Sequence, residues 1–336
     1  MNVKLIDEIA NAVLYEGYML YPYRPSSVKN RQRWNFGVVY PRNYSEAQEG
    51  TDPWYTRTEC LVKGSAQTEI TVRMRFLQAI SRTVRGAQDS QMWEQQSQAW
   101  QEATERDVLV ETRLLDELVD ASISEAVDLP ASETTESICD ADGRITQLIV
   151  RTQESILGRI TLSASRLNEG LHKITLEVAN EGSVVDPGKC SRDCALMRSL
   201  LSAHSILSVA RGEFVSLLDA PEELKEFAAQ CKNVGTWPVL VGEEGQRDAV
   251  LSSPIILYDY PQIAPESAGD LFDGTEIDEI LALRILTLTE DEKREMRDGD
   301  ARARQILERT EALPEEQFLK LHGVLRGLRP PSEDQQ

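Results

Sequence analysis

The chain has 336 residues, 41% of them hydrophobic and 27% charged, and its 56 acidic and 36 basic side chains give a formal charge of -20. That length can bury a core for one large or two ordinary domains, while the negative field disfavours nucleic acid and anionic membrane surfaces as partners. Asp7 and Glu8 interrupt the place of a signal peptide, no apolar run could span a bilayer, and five scattered cysteines fit reduced thiols, so a cytoplasmic protein without membrane insertion is expected.

Residues 4–15, KLIDEIANAVLY, place Leu5, Ile9, Val13 and Ile6, Ala10, Leu14 on neighbouring rows of a helix that Gly17 is placed to end. The next segment, YEGYMLYPYRPSSVKNRQRWNFG, holds Pro22 and Pro25 and reads as an extended connection. WNFGVVYP then reads as a strand. From Tyr55 to Val178 the period is mainly two. Ile70, Val72, Met74 and Phe76 alternate with Thr71, Arg73 and Arg75, and Leu171, Ile174, Leu176 and Val178 mark another strand, with RDVLVETRLL and SILGRITLSASRL two more. Strands with one wet face predict an antiparallel sandwich or barrel-like sheet.

Two polar stretches interrupt the pattern. GAQDSQMWEQQSQAWQEATERD, with Met92, Trp93 and Trp100, reads as a helical insertion, and DLPASETTESICDADG as a loop. Beyond residue 195, HSILSVARGEFVSLL reads as a last strand pair or a strand and turn and APEELKEFAAQC as a helix; TWPVLVG and SSPIILYDY are short apolar strands. The remainder reads as helices: Ile277, Ile280, Leu281 and Leu283 form a face after Thr275, Thr289 and Glu292 a capping box, and Phe318, Leu321, Val324, Leu325 and Leu328 a helix begun by Pro314.

The fold expected is α+β: a β-rich part over 1–215 with an amino-terminal helix, an α-rich part over 216–330 packed on it, and a flexible tail at 331–336. Strands 237–241 and 253–258 are placed to join the same sheet.

Two segments stand out for function. In the first, Tyr18, Tyr21, Tyr23, Trp34 and Phe36 accompany Arg24, Lys29, Arg31 and Arg33. Such a set stacks bases in single-strand binders, yet those also need a broad basic funnel, which an acidic chain lacks. The same residues also read locally, the aromatics wedging a proline-rich entry strand onto the sheet and the arginines pairing with the chain's own surplus carboxylates; a third reading is a partner-binding surface, since Tyr, Trp and Arg are preferred anchors of protein interfaces. The second, residues 252–281, carries Tyr258, Asp259 and Tyr260 and then Glu266, Asp270, Asp273, Glu276, Asp278 and Glu279 with no basic residue from Glu266 to Glu279. Its spacing does not match a calcium loop, and helix capping accounts for Thr275 and the carboxylates around it. An internal contact between Arg24, Arg31 or Arg33 and this acidic loop would reconcile the two segments.

Cys190 and Cys194 are the candidate metal thiols, but two thiols without a second pair do not complete a zinc or iron-sulfur site, and no cofactor is expected. His172, His204 and His322 lie in separate elements, and the common nucleophile, phosphate-loop, dinucleotide and zinc-protease motifs are absent. An enzymatic alternative would use Asp259, Asp270 and Asp273 with Arg24 or Arg31 in loops.

Together, residues 15–40, CKNVGTWPVLVGEEG and the run SSPIILYDYPQIAPESAGDLFDGTEIDEILALRILTLTEDEK resemble a family of uncharacterised bacterial proteins encoded in [NiFe]-hydrogenase gene clusters, the likeness being densest at 15–40 and 231–295. The resemblance implies a non-enzymatic accessory protein that assembles, stabilises or electrically connects a hydrogenase, with hydrogenase subunits or maturation factors as partners; a stoichiometric structural component of a complex is the alternative. The residues expected to meet a partner are Tyr21, Tyr23, Arg24, Lys29, Arg31, Arg33, Trp34, Tyr258, Asp259 and Tyr260.

Overall fold

The structure is a computed structural model that describes residues 2–18, 23–24, 27, 34, 36–88, 91–94, 100–263, 278–298 and 301–312. The chain divides into two compact units, one of residues 1–18 and 32–262 and one of residues 19–31 and 263–336. The fold is α+β. No described helix is long and apolar enough to cross a membrane.

The first unit is built on one eleven-stranded antiparallel sheet, with the short helices α2 (Arg42–Ala47) ahead of its first strand and α5 (Lys225–Ala229) between its ninth and tenth. Its spine is β1 (Tyr55–Gln88), a single 34-residue strand that changes neighbours along its length. Residues 55–63 pair with β8 (Leu171–Asn180), 61–77 with β9 (Leu201–Val215), 69–82 with β3 (Trp100–Leu114) and 81–86 with β6 (Ile145–Gln153). The register on the β9 side shifts twice, between Gly64 and Glu69 and between Arg75 and Leu77. β7 (Ile156–Asn168) joins β8, and β4 (Ile123–Leu129) joins β7. On the other flank β11 (Ala249–Ser253) pairs with β9 and β10 (Trp237–Leu240) with β11, so the sheet continues well beyond residue 215.

The main core gathers Ile70, Val72, Met74 and Phe76 of β1 with Ile160 and Leu162 of β7, Ile174 and Leu176 of β8, and Leu207 of β9. Leu115 and Leu118 of the short helix α3 (Leu115–Asp120) close it between β1, β3 and β7. The face of β1 that alternation marks as wet is not wet over its middle, because α1 (Val3–Tyr15) packs there and leaves Arg75 buried. α1 is amphipathic as its sequence requires: the Asn2 side chain caps it by accepting from Leu5 N at 3.3 Å, and Ile6, Ile9, Ala10 and Val13 pack on Ile206, Val241 and Leu251.

Several expectations need correction. The strand expected in WNFGVVYP is an irregular passage whose described part makes one bridge, Val39 to Leu200. Gly37 at φ +57 permits this turn, and a Cβ there would fall 2.4 Å from Pro254 Cγ. The Gln- and Glu-rich insertion is strand, not helix, where it is described: β2 (Gln91–Glu94) and the first half of β3 both pair with β1. DLPASETTESICDADG is not a loop but contains β5 (Ser132–Cys139), paired along its length with β6. SSPIILYDY holds only the end of β11; residues 254–260 form an irregular strap.

In the second unit α6 (Asp278–Leu286), α7 (Glu290–Asp298) and α8 (Ala301–Glu311) carry buried Leu281, Ala282, Ile285, Met296, Ala303, Ile306 and Leu307, with Leu288 buried in the connection between α6 and α7. Leu283, expected on the inner face of α6, is exposed, since burial follows 281, 282 and 285. The capping box holds: Thr289 Oγ1 accepts from Glu292 N at 3.4 Å and Glu292 Oε2 from Thr289 N at 2.9 Å. Thr275, Ile277, and the helix expected after Pro314 lie outside the described residues.

Candidate partner-binding surface

The described part of the opening segment is a core element rather than an open platform. Tyr23 and Trp34 are buried. Trp34 meets Tyr18 edge-on at 5.1 Å, Tyr18 meets Tyr15 at 5.5 Å, and the Trp34 indole donates to Gln101 Oε1 of β3 at 3.1 Å. Arg192, at the start of α4 (Arg192–Leu196), donates to Trp34 O at 2.7 Å and to the Tyr40 hydroxyl at 3.2 Å. Arg24 pairs with Glu292 at 3.0 Å and Glu295 at 3.6 Å on α7, both within the second unit. Tyr21, Lys29, Arg31, Arg33, the acidic run 264–277 with Asp270 and Asp273, and His322 lie outside the described residues.

The strap 254–260 is different. Asp259 is fixed from two sides: Leu240 N donates to Oδ1 at 2.8 Å and the Ser216 hydroxyl to Oδ2 at 2.5 Å. Ser216 Oγ in turn accepts from Leu218 N and Asp219 N. Tyr260 N donates to Leu240 O at 2.8 Å and its hydroxyl to Gln246 O at 2.9 Å, while its ring packs on the main core. Ile255 and Leu257 turn inward against the α1 cluster. Alternation then forces Ile256 and Tyr258 outward, where they are 73% and 87% exposed. Trp237, the first residue of the edge strand β10 and paired with Ser253, is 43% exposed. Of the residues expected to meet a partner, Tyr258 alone among those described is freely presented; Asp259 and Tyr260 are the anchors that present it. An acid or base role for Asp259 is not what its partners favour, since both of its oxygens accept hydrogen bonds within the fold.

A second polar cluster, which sequence reading did not assemble, lies between α1 and the sheet. Arg73 meets Asp7 of α1 and Asp107 of β3, each at 2.5 Å; Arg75 donates to Asn11 Oδ1 at 2.7 Å and reaches Glu105 at 3.3 Å, which accepts from the Tyr15 hydroxyl. His204, across the ladder from Arg75, donates from Nδ1 to Ser202 O at 2.9 Å. Burial, reinforced by Arg75 and Arg73, pushes its pKa down to about 4 against the pull of that hydrogen bond, so the ring is neutral at pH 7. The chemistry is that of a clamp: two arginines on one strand, carboxylates on the two elements beside it, and a neutral imidazole.

Cys190 and Cys194 flank the amino end of α4. Burial and the neighbouring Cys194 thiol push Cys190 up to about 11, so the free thiol is protonated at neutral pH. Among the described residues no group of three or more His, Cys, Asp or Glu side chains could hold a metal ion. No family model matches the chain, and no curated protein does.

Proposed function

We propose that the protein is a cytoplasmic, non-enzymatic accessory factor that binds a protein partner through the strap 254–260. The observation that carries this reading is the pairing of rigid anchorage with exposure: Ile256 and Tyr258 are held in water between residues pinned by Asp259, Tyr260, Ile255 and Leu257. Side chains that gain nothing for the fold at those positions gain on association, and a pre-ordered tyrosine loses little entropy when it docks. The likeness of residues 15–40 and 231–295 to proteins encoded with [NiFe]-hydrogenases names the partner class: hydrogenase subunits or their maturation factors. The strap falls inside the second of those stretches.

Tyr258→Ala combined with Ile256→Asn tests this in cells. Both side chains are exposed, so the variant should melt as the parent does and yet deliver less mature hydrogenase. Unchanged hydrogenase activity in cells that carry only the variant would contradict the reading.

A further inference from the structure

The outer edge strand is a second surface with a chemistry of its own. Between Arg113 and Arg144 the chain has nine carboxylates, Asp116, Glu117, Asp120, Glu125, Asp128, Glu133, Glu136, Asp140 and Asp142, and no lysine or arginine. That run folds into α3, β4 and β5 and the turn that follows. β5 pairs with β6 on one side, from Ser132 opposite Gln153 to Cys139 opposite Ile145, and with no other described strand. All eight of its residues are exposed. It contains no proline or lysine; its protection against edge pairing is negative charge, Glu133 and Glu136, and a register shift confined to its last residue between Ile138 and Cys139, so an acidic strand is repelled where a basic one is not.

The edge is also stiff. Across its inner face a ladder of alternating charge runs from Glu102 of β3 to Arg82 of β1 at 3.4 Å and to Arg151 of β6 at 2.8 Å, and from Arg151 to Glu136 of β5 at 2.8 Å. Glu136 is thereby engaged. Glu133 on β5, and Glu125 and Asp128 on the adjoining β4, are exposed and have no basic partner among the described residues.

We propose that β5 accepts an extended, lysine- or arginine-bearing segment of a partner protein as an added strand. Its outward backbone groups supply the ladder, and Glu133, Glu125 and Asp128 supply the charge selection. A second copy of the same edge is the wrong occupant, because it would set like carboxylates opposite one another. The inference extends partner binding to a surface separate from the strap, and it stands or falls independently of Tyr258.

The probe is a fluorescent peptide of about nine residues alternating lysine and valine, long enough to cover the strand. Anisotropy reports its binding to the full chain, and hydrogen exchange reports protection of the 132–139 amides. Expected are saturable binding, new protection at β5, and weakening by at least about tenfold in the Glu133→Lys, Asp128→Lys variant, whose exposed positions leave folding intact. The Tyr258→Ala, Ile256→Asn variant should bind the peptide as the parent does. The proposal is overturned if the peptide does not bind, if its fully N-methylated form, with charges kept and donors lost, binds equally well, or if protection appears elsewhere on the chain.

Discussion

Single side chains here do work that their sequence neighbours do not announce. His204 is neutral in the folded protein with a pKa near 4 and would titrate near 6.5 once unfolded. Between those values the unfolded chain binds more protons, so stability is fully present above about pH 6.5 and falls as the pH drops toward 4, by up to about 3 kcal/mol from this group. Denaturant unfolding at a series of pH values should show that slope, and His204→Asn should remove most of it; an equal slope in the variant would assign the effect to other groups. Asp259 is the other decisive residue. Asp259→Ala leaves Leu240 N and the Ser216 hydroxyl without their acceptor and should cost about 1–3 kcal/mol in unfolding free energy, read from the same experiment. Neither role was legible in the sequence. Asp259 is recognisable as unusual among apolar neighbours, but its partners stand 19 and 43 residues away. The pairing of His204 with Arg75 exists only through the register of β1 and β9.

At the scale of elements, legibility followed one-sided burial. β7 and β8 alternate between buried and open positions and are plain in the sequence, as is α1 with its single apolar face. β5 is exposed on both faces, so no period-two apolar signal could mark it; its strand conformation comes from backbone pairing with β6. The Gln- and Glu-rich run around 91–107 has helix-forming composition, yet β1 offers it a ladder and tertiary pairing prevails over propensity. In the helical unit, the Thr289 cap and the Arg24 pairs converge on Glu292. Thr289→Ala should cost about 1 kcal/mol, and Arg24→Glu, which turns two attractions into repulsions, should lower the melting temperature of the unit. Calorimetry of each variant measures both; melts that coincide with the parent would remove Arg24 as a determinant of that unit's stability.

For the whole molecule, the acidic surplus is not spread evenly. The basic, aromatic segment that seemed anomalous in an acidic chain contributes Tyr23 and Trp34 to buried positions and Arg24 to an ion-pair cluster, whereas base-free runs of carboxylates stand elsewhere, at 114–143 on the outer sheet edge and its flanks and at 266–279. Composition and periodicity were enough to give the α+β class and the helical carboxy-terminal part. They gave the exposed strap only in part: Tyr258 was marked as a partner-binding residue, but its presentation depends on anchors supplied by β9, β10 and the turn at Gln246. The central claim is that those exposed side chains exist for a protein partner. Affinity purification of the tagged protein from its native cells at moderate salt, with mass spectrometry of the proteins that accompany it, tests this most directly. The account predicts hydrogenase subunits or maturation factors above control with the parent chain and their loss with Tyr258→Ala, Ile256→Asn. Recovery of neither while the hydrogenase is being made, or equal recovery with the variant, would contradict it.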